Sequence, residues 1–258
     1  MPGCRVPNRR VERRSCWRKR VKRQRWNGPD SFDGIVHVYD RFSALTSGFV
    51  ADYLDRTVPR RGERAVDLGC GTGVHTEILA DRYRQVLAVD VSEPMLAAAR
   101  TQRRRPGVVY WHGDFLTLDP VWDGTFDLVF SAFVFHHVHP LEDGLRLVRT
   151  LVRPGGHAVL IDVADDRPRS RLWFHRRAAG ALVTDLLRCR RPVRESFELF
   201  RLSRHPAWLD HLTADRPISV GELQRRYGAV LPGADFTVLD REVAVHWQRA
   251  PTAVALPR

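Results

Sequence analysis

The chain has 258 residues, of which 43% are hydrophobic and 28% are charged. This composition is ordinary for a globular protein and excludes wholesale disorder, collagen-like repeats and small disulfide scaffolds. The longest mainly apolar run, residues 128–135, is about half of the ~20 residues that span a bilayer, so no membrane segment is expected. The basic N-terminus does not read as a secretory signal, because no apolar stretch follows it. The four cysteines form no CxxC pair, and a reducing cytoplasm is the expected compartment.

The positive charge of the chain is concentrated at its N-terminus. The formal net charge is +12, but residues 1–26 alone carry eleven Lys or Arg and one Glu, a net of +10. The other residues are close to neutral, with 31 cationic and 29 acidic side chains. Residues 1–28 are therefore predicted to be a basic, disordered tail. Three interpretations of this tail stay open: a translated extension without function, a solvated arm without a specific role, and an arm that binds nucleic acid or an anionic membrane.

The sequence after this tail predicts helices that alternate with buried strands. Apolar residues spaced as on one helix face run from Phe42 to Leu54. Uniformly apolar segments then predict five strands with helices between them, at residues 65–68, 86–90, 108–111, 126–130 and 158–161. Because such strands are buried on both faces, they favour a parallel sheet with right-handed crossovers.

The second half of the chain departs from this alternation. Residues 165–230 are rich in Arg and aromatic residues, and Ser219 with Glu222 fits the capping box of a helix start. Two runs at 236–240 and 242–247 then predict an antiparallel hairpin that closes the sheet. The expected units are a tail at 1–28, a core at 29–164, a helical insertion on the substrate side at 165–230, a hairpin at 231–248 and a C-terminal tail at 249–258.

The strongest local signal is residues 66–73, VDLGCGTG. Glycines directly after a strand allow a tight turn and close approach of a ligand to the backbone, at the edge of an α/β sheet where ligands bind. The spacing is not the GxGxxG of dinucleotide folds, and the GK[ST] of a triphosphate-binding loop is missing. Asp90 ends the second strand, where a carboxylate can accept both hydroxyls of a ribose. Asp114 follows the third strand, where it can accept from an adenine amino group.

These motifs, followed by FDLVFSAFVFHHV and LVRPGG, closely resemble the class I S-adenosylmethionine-dependent methyltransferases, and most of all the branch that modifies small molecules. The resemblance covers about residues 35–165 and the closing hairpin. It implies an α/β fold with a Rossmann-like, doubly wound seven-stranded sheet that is mostly parallel and has an antiparallel last strand. A helical insertion precedes the final hairpin.

The resemblance also implies a site for S-adenosyl-L-methionine. Asp67 and the neighbouring glycines would hold the methionine part, and Tyr39 would cover its carboxylate. Asp90 would bind the ribose, while Asp114 and Phe115 would bind the adenine. The full set of residues implied at this site is Tyr39, Asp67, Gly69, Cys70, Gly71, Gly73, Asp90, Val91, Met95, Asp114, Phe115 and Ser131.

The catalytic signal is sparse, because methyl transfer needs mainly the alignment of donor and acceptor. A hydroxyl or carbon acceptor would profit from a general base with a pKa near 7. His136 and His137, just after the fourth strand, are the candidates for that base, and a packing role is their alternative. No metal is expected, because the spacing of His136 and His139 lacks a partnered carboxylate or cysteine pair. Cys70 is expected to contribute its backbone rather than a nucleophilic thiol.

The insertion is expected to select the acceptor, a small molecule whose identity and methylated atom (O, N or C) the sequence leaves open. Its aromatic residues would line an apolar pocket or form the core of the insertion itself: Trp173, Phe197, Phe200 and Trp208. Two other functions stay open, an RNA methyltransferase that uses the basic tail and a non-catalytic cofactor-binding partner protein. The near-neutral core and the missing NPPY-type motif weigh against RNA, and the intact binding motifs weigh against a non-catalytic protein.

Overall fold

The structure, a computed structural model, describes residues 32, 34–121, 123–165, 170–215 and 217–251. The predicted basic tail and most of the predicted C-terminal tail lie outside the described residues. The helices are α1 (Val36–Thr46), α2 (Gly48–Thr57), α3 (Val74–Ala80), α4 (Glu93–Gln102), α5 (Leu141–Leu151), α6 (Arg171–Leu187), α7 (Val193–Ser203), α8 (Pro206–Ala214) and α9 (Val220–Val230). The strands are β1 (Gly62–Leu68), β2 (Tyr83–Asp90), β3 (Val108–His112), β4 (Phe126–Ala132), β5 (Val152–Val163), β6 (Asp235–Leu239) and β7 (Glu242–Gln248).

The seven strands form one sheet in the order β3-β2-β1-β4-β5-β7-β6. Strands β1 to β5 pair in parallel, and β7 runs antiparallel to both β5 and β6. The chain winds outward from β1 in one direction and from β4 in the other, so the switch between the two directions lies between β1 and β4. The predicted doubly wound sheet with an antiparallel last strand is confirmed, and ligands of such sheets bind at this switch.

Both faces of the sheet are buried, which explains the uniformly apolar strands. Successive side chains of a strand point to opposite faces. Val66 of β1 belongs to a core cluster with Leu145 of α5. Ala65 of β1 and Leu128 of β4 belong to a second cluster on the other face, together with Leu54 of α2. Helices therefore cover the sheet on both sides and leave its carboxyl edge for a site.

Two local predictions differ from the structure. The single helix face expected from Phe42 to Leu54 is divided at Ser47 between α1 and α2. The side chain of Thr46 donates to the carbonyl of Phe42, and a glycine follows Ser47, so the helix is locally weak where the apolar spacing continues. The proline and two glycines of residues 154–156 predict the end of a helix, but these residues lie inside β5, where Gly155 adopts a positive φ of 76°.

The four helices α6 to α9 form the predicted helical insertion. The helix start at Ser219 is confirmed, because its Oγ accepts from the amide of Glu222 at 3.2 Å. Helix α7 of the insertion packs against both α6 and α1. The guanidinium of Arg41 in α1 donates twice to the carboxylate of Glu198 in α7, at 2.9 and 2.8 Å. Helix α1 thus lies between the sheet edge and the insertion. Among the described residues, every helix is too short or too polar to cross a membrane.

Candidate active site

The glycine loop after β1 brings bare backbone to the carboxyl edge of the sheet. Gly69 and Gly71 have φ angles of +73° and +53°, which side-chain-bearing residues rarely adopt. A Cβ at Gly69 would lie 2.4 Å from the side chain of Val134, and a Cβ at Gly71 would lie 3.2 Å from the ring of Tyr39. Only glycine fits both positions, and Tyr39 of α1 lies directly over the loop.

Asp90, the last residue of β2, braces this loop. One carboxylate oxygen accepts from the amide of Gly71 at 2.7 Å, and the other accepts from the amide of Ser92 at 2.8 Å. Burial raises the pKa of the Asp90 carboxyl, while these amide donors oppose that shift. The carboxylate is therefore fixed at the mouth of the loop and can still accept from a ligand.

Asp67 lies beneath the loop near the end of β1 and is only 1% exposed. Its Oδ2 accepts from the hydroxyl of Thr76 at 2.6 Å, and its Oδ1 has no hydrogen-bond partner among the described residues. Burial, and then the charge of Asp90, raise the pKa of the Asp67 carboxyl to about 7. A buried acceptor without a partner is costly, so this position fits a ligand that carries a cationic or N–H donor.

A small cavity of about 80 Å³ opens above the loop. Seven residues of the predicted cofactor set line it: Tyr39, Gly69, Gly71, Asp90, Val91, Met95 and Phe115. Sequence reasoning missed others that line the same cavity: Phe32, Ser92, Phe133 and Val134. Phe133 follows β4 with a positive φ of 62°, a strained conformation typical of functional sites that no local sequence pattern announces.

Two other members of the predicted set, Cys70 and Gly73, lie behind the cavity. The Cys70 side chain packs with Ala88 and Leu96, and burial raises the pKa of its thiol well above the ordinary value. The thiol therefore stays protonated, as expected for a residue that contributes only its backbone. Gly73 starts α3 with a φ of +82°, and a Cβ there would lie 2.8 Å from the hydroxyl of Tyr110.

Asp67, described above, also lies outside the lining of the small cavity. The remaining members, Asp114 and Ser131, hold neighbouring backbone in place. Asp114 accepts from the amide of Leu116 at 2.9 Å and so caps the short turn that carries Phe115. Ser131 is buried in β4 and donates to the carbonyl of Leu68 at 2.7 Å. Both lie outside the lining of the small cavity and shape it through the backbone next to it.

A second, larger cavity of about 320 Å³ lies between α1 and the insertion. It shares three aromatic residues with the small cavity, namely Phe32, Tyr39 and Phe133. Other rings of its lining come from the insertion: Phe174, Phe200 and Trp208. Of the aromatic residues noted in the sequence, Phe200 and Trp208 thus line a cavity, whereas Phe197 is 48% exposed.

The arginines among the described residues of the large cavity are paired with carboxylates. Arg177 lies 2.8 Å from Asp240, and Arg241 lies 2.5 Å from Asp165. Arg241 is buried, and its guanidinium lies 4.4 Å from the ring centroid of Trp173. The cavity is therefore apolar and aromatic, and its cations are already satisfied by carboxylates.

A histidine cluster lies where the two cavities meet. His136 lines the large cavity, and His137 lines the small one, with ring centroids 3.9 Å apart. The Nδ1 of His136 lies 2.5 Å from the Oδ1 of Asp162 at the end of β5. Its Nε2 lies 3.8 Å from the Oδ2 of Asp215, which follows α8. His136 is therefore held between two carboxylates.

His137 and His211 complete the cluster. The Nε2 of His137 is buried and has no hydrogen-bond partner among the described residues. Burial, and then the neighbouring His136, lower the pKa of His137 to about 2, so its ring is neutral. His211 of α8 lies 3.9 Å from Asp215 and stacks on Trp208. Asp162, Asp215 and His211 were not predicted, because they are scattered along the chain and form no motif.

Comparisons with known proteins show which proteins this chain resembles. Residues 66–160 match the family described as "Methyltransferase domain". An uncharacterized methyltransferase of Mycobacterium tuberculosis is 29% identical over 201 residues, which cover 77% of this chain and 92% of the relative. A trans-aconitate 2-methyltransferase of Methylobacterium nodulans is 38% identical over 148 residues, 55% of this chain and 54% of that protein. The solved DhpI–SAH complex shares the fold, with a TM-score of 0.58 at 19% identity over 86% of this chain and 95% of that one.

The family match includes the glycine loop and extends into β5, so it covers the residues of the small cavity from Gly69 to His137. Residues 66–160 are therefore a methyltransferase domain. The residues of the cleft fit S-adenosylmethionine, the co-substrate that the sequence motifs imply. The unpartnered oxygen of Asp67 suits an ammonium group, Asp90 suits a diol, and the glycines leave room for a ligand against the backbone.

Proposed function

We propose that the methyltransferase acts on a small, largely apolar acceptor that binds in the cavity of about 320 Å³. The observation that carries this proposal is the wall of Phe32, Tyr39 and Phe133, which both cavities share. A molecule in the large cavity lies directly beside a molecule in the small one, as in-line transfer requires. The volume is within the range of small-molecule sites, near its lower end.

In this proposal the chain mainly binds and aligns. S-adenosylmethionine supplies an electrophilic methyl group on its sulfonium. The free oxygen of Asp67 accepts from the ammonium, and Asp90 accepts from the ribose hydroxyls. Met95 and Phe115 give apolar surface to the adenine. The aromatic wall excludes water from the space between the two ligands.

A small acceptor is favoured over RNA for two reasons. Both arginines among the described lining residues of the cavity are already paired with carboxylates, so neither is left to bind phosphate. Outside residues 1–26 the chain is nearly neutral, which does not suit a polyanion. The Methylobacterium nodulans relative, a trans-aconitate 2-methyltransferase, also has a small-molecule acceptor in its name.

The acceptor's reacting atom is proposed to lie against the histidine cluster. His136 and His137, the two candidates for a general base, lie where the cavities meet, which supports a place beside that atom. Because burial lowers the pKa of His137 to about 2, His136 is the better candidate for the base. The ring of His137 is neutral, and the ring of His136 lies between two carboxylates. Both rings suit contact with an oxygen or nitrogen of the acceptor. An amine would react without further help, whereas a hydroxyl must lose its proton.

The large cavity can be filled selectively from α6. Ala178 lines the cavity and is buried, whereas Ala179 is exposed on the other side of the helix. We expect Ala178→Phe to abolish transfer of labelled methyl groups to the low-molecular-weight fraction of a cell extract while S-adenosylhomocysteine binds as before. Ala179→Phe, the control, should change neither measurement, because its ring projects into solvent.

The opposite pattern would overturn the proposal. Label transferred to total RNA rather than to small molecules would favour the nucleic-acid function. Equal small-molecule transfer by wild type and Ala178→Phe would show that the acceptor does not bind in this cavity. Calorimetric titration with S-adenosylhomocysteine distinguishes loss of the acceptor site from loss of the fold.

A further inference from the structure

The structure places a carboxylate beside the histidine pair, a partner that the sequence pattern did not reveal. His136 and His137 are adjacent, and Asp215 follows almost eighty residues later in the insertion. One ligand atom of each of these residues lies within 4.8 Å of the ligand atoms of the other two. We propose that His136, His137 and Asp215 bind one divalent transition-metal ion, of the Zn²⁺ type, at the junction of the two cavities.

The chemistry of the donors indicates the class of ion. Two imidazoles and one carboxylate suit Zn²⁺, Fe²⁺ or Co²⁺, whereas Mg²⁺ and Ca²⁺ prefer sites made of oxygen atoms. Three protein ligands also leave coordination positions open, as in catalytic rather than structural metal sites. The two cavities adjoin the cluster, so those positions are accessible to a small ligand.

The surroundings of His136 support ligation through its Nε2. Its Nδ1 lies 2.5 Å from the Oδ1 of Asp162, and the other oxygen of that carboxylate accepts from the hydroxyl of Tyr227 at 3.4 Å. Metal-binding histidines characteristically donate their second N–H to such a carboxylate, which fixes the ring and its tautomer. The same contact directs Nε2 toward Asp215, whose Oδ2 lies 3.8 Å away.

His137 provides an independent argument. Its Nε2 is buried and has no hydrogen-bond partner among the described residues. A metal ion binds imidazole through an available ring nitrogen, and a metal bond would satisfy this atom, for which the described residues offer no partner.

The use of the ion in catalysis rests on the proposed function, whereas its binding does not. An ion at this position would bind an acceptor hydroxyl and lower its pKa, so that the O–H bond breaks and the proton passes to water. The resulting oxygen anion would then form a bond to the methyl carbon as the C–S bond of the sulfonium breaks, which leaves S-adenosylhomocysteine as the other product. His136 and His137 would act as ligands in this arrangement, and a general base would not be needed.

The test uses the full chain without an affinity tag, stripped by a chelator and then titrated with Zn²⁺ in a calorimeter. We expect one equivalent to bind, and Mg²⁺ to produce no binding signal. Asp215→Asn and His137→Ala should each weaken Zn²⁺ binding at least tenfold. The matched control is His157→Ala, because His157 and His246 form another half-buried histidine pair outside the cluster, with ring nitrogens 3.0 Å apart. This control should bind Zn²⁺ like wild type.

Titration of the same samples with S-adenosylhomocysteine reports on the fold and on the proposed function separately from the metal. If the wild-type chain binds no stoichiometric Zn²⁺, the proposal is wrong even though S-adenosylhomocysteine binds. It is equally wrong if folded Asp215→Asn retains wild-type Zn²⁺ affinity, or if His157→Ala removes the binding. Zn²⁺ should also raise the Tm of wild type and leave that of Asp215→Asn unchanged, because the ion joins the insertion to the core.

Discussion

The single unpartnered oxygen of Asp67 gives cofactor binding a pH dependence. Its carboxyl has a pKa of about 7 in the structure, and in the proposed site it must be ionised to accept from the ammonium of the cofactor. Protonation competes with binding below that pKa. Affinity for S-adenosylhomocysteine should therefore rise with pH up to about pH 7, by at most about tenfold per pH unit, and level off above it. Calorimetric titrations between pH 6 and pH 8 measure this.

Asp67→Asn is the control for that dependence. The amide cannot ionise, so the variant should bind S-adenosylhomocysteine more weakly and with a flat profile over the same pH range. A wild-type profile that is already flat would mean that the Asp67 carboxylate does not face the ammonium.

His75 makes stability, rather than binding, depend on pH. It is buried in α3, with ring centroids 5.8 and 6.4 Å from those of Phe130 and Phe133. Burial, and then the charge of Arg103, lower its pKa to about 4. Below about pH 6.5 the His75 ring binds a proton in the unfolded chain but not in the folded chain. The contribution of this ring to the free energy of unfolding is therefore fully present above about pH 6.5 and is lost progressively toward pH 4. The loss is roughly 3 kcal/mol.

Urea unfolding at about pH 7 and pH 4.5 tests this prediction. His75→Gln removes the titrating ring, so the free energy of unfolding of the variant should fall less between the two pH values than that of wild type. Equal falls in both proteins would assign the acid sensitivity to carboxylates elsewhere.

At the level of elements, helix α1 is anchored to the sheet edge by a buried ion pair. The Nη1 of Arg103, just after α4, lies 2.6 Å from the Oδ1 of Asp40, with both side chains less than 10% exposed. The same nitrogen donates to the carbonyl of Thr72 at 3.0 Å, next to the glycine loop. Because Tyr39 precedes Asp40, this pair holds the ring that covers the loop. Loosening it would open the small cavity.

Arg103→Met should cost at least about 3 kcal/mol of stability, because it leaves Asp40 buried without its partner. It should also weaken S-adenosylhomocysteine binding, since Tyr39 loses its anchor. Arg41→Met, which breaks the half-exposed pair with Glu198 on the same helix, should cost no more than about 1 kcal/mol. Chemical denaturation of both variants measures the difference, and similar losses would contradict the importance of the buried pair.

The elements that could be predicted from the sequence are those whose signal lies in neighbouring residues. Apolar runs predicted β1 to β5, and the glycines of residues 66–73 predicted the loop, because both depend on neighbouring residues. The break at Ser47 escaped notice, since apolar spacing continues through it. Asp162 and Asp215 could not be associated with His136 from the sequence, because only the tertiary fold brings the end of β5 and the residue after α8 to the same imidazole ring.

At the level of the whole molecule, the charge is separated from the site along the sequence. Residues 1–26 carry a net +10, while the described residues that line the two cavities lie at position 32 or later. Deleting residues 1–28 should therefore leave the affinity for S-adenosylhomocysteine unchanged. Any binding of RNA by the full chain should become weaker and less dependent on salt in the shortened chain. Titration with S-adenosylhomocysteine and with RNA at two salt concentrations measures both effects.

The wall of Phe32, Tyr39 and Phe133 faces two ligands at once, which has a thermodynamic consequence. A ligand that fixes these rings in one arrangement removes the entropic cost of ordering them when the second ligand binds. Binding in the two cavities is then cooperative. The factor by which bound cofactor raises the affinity for the acceptor equals the factor by which bound acceptor raises the affinity for the cofactor. After transfer, each product holds the other in place, so departure of the first product hastens departure of the second.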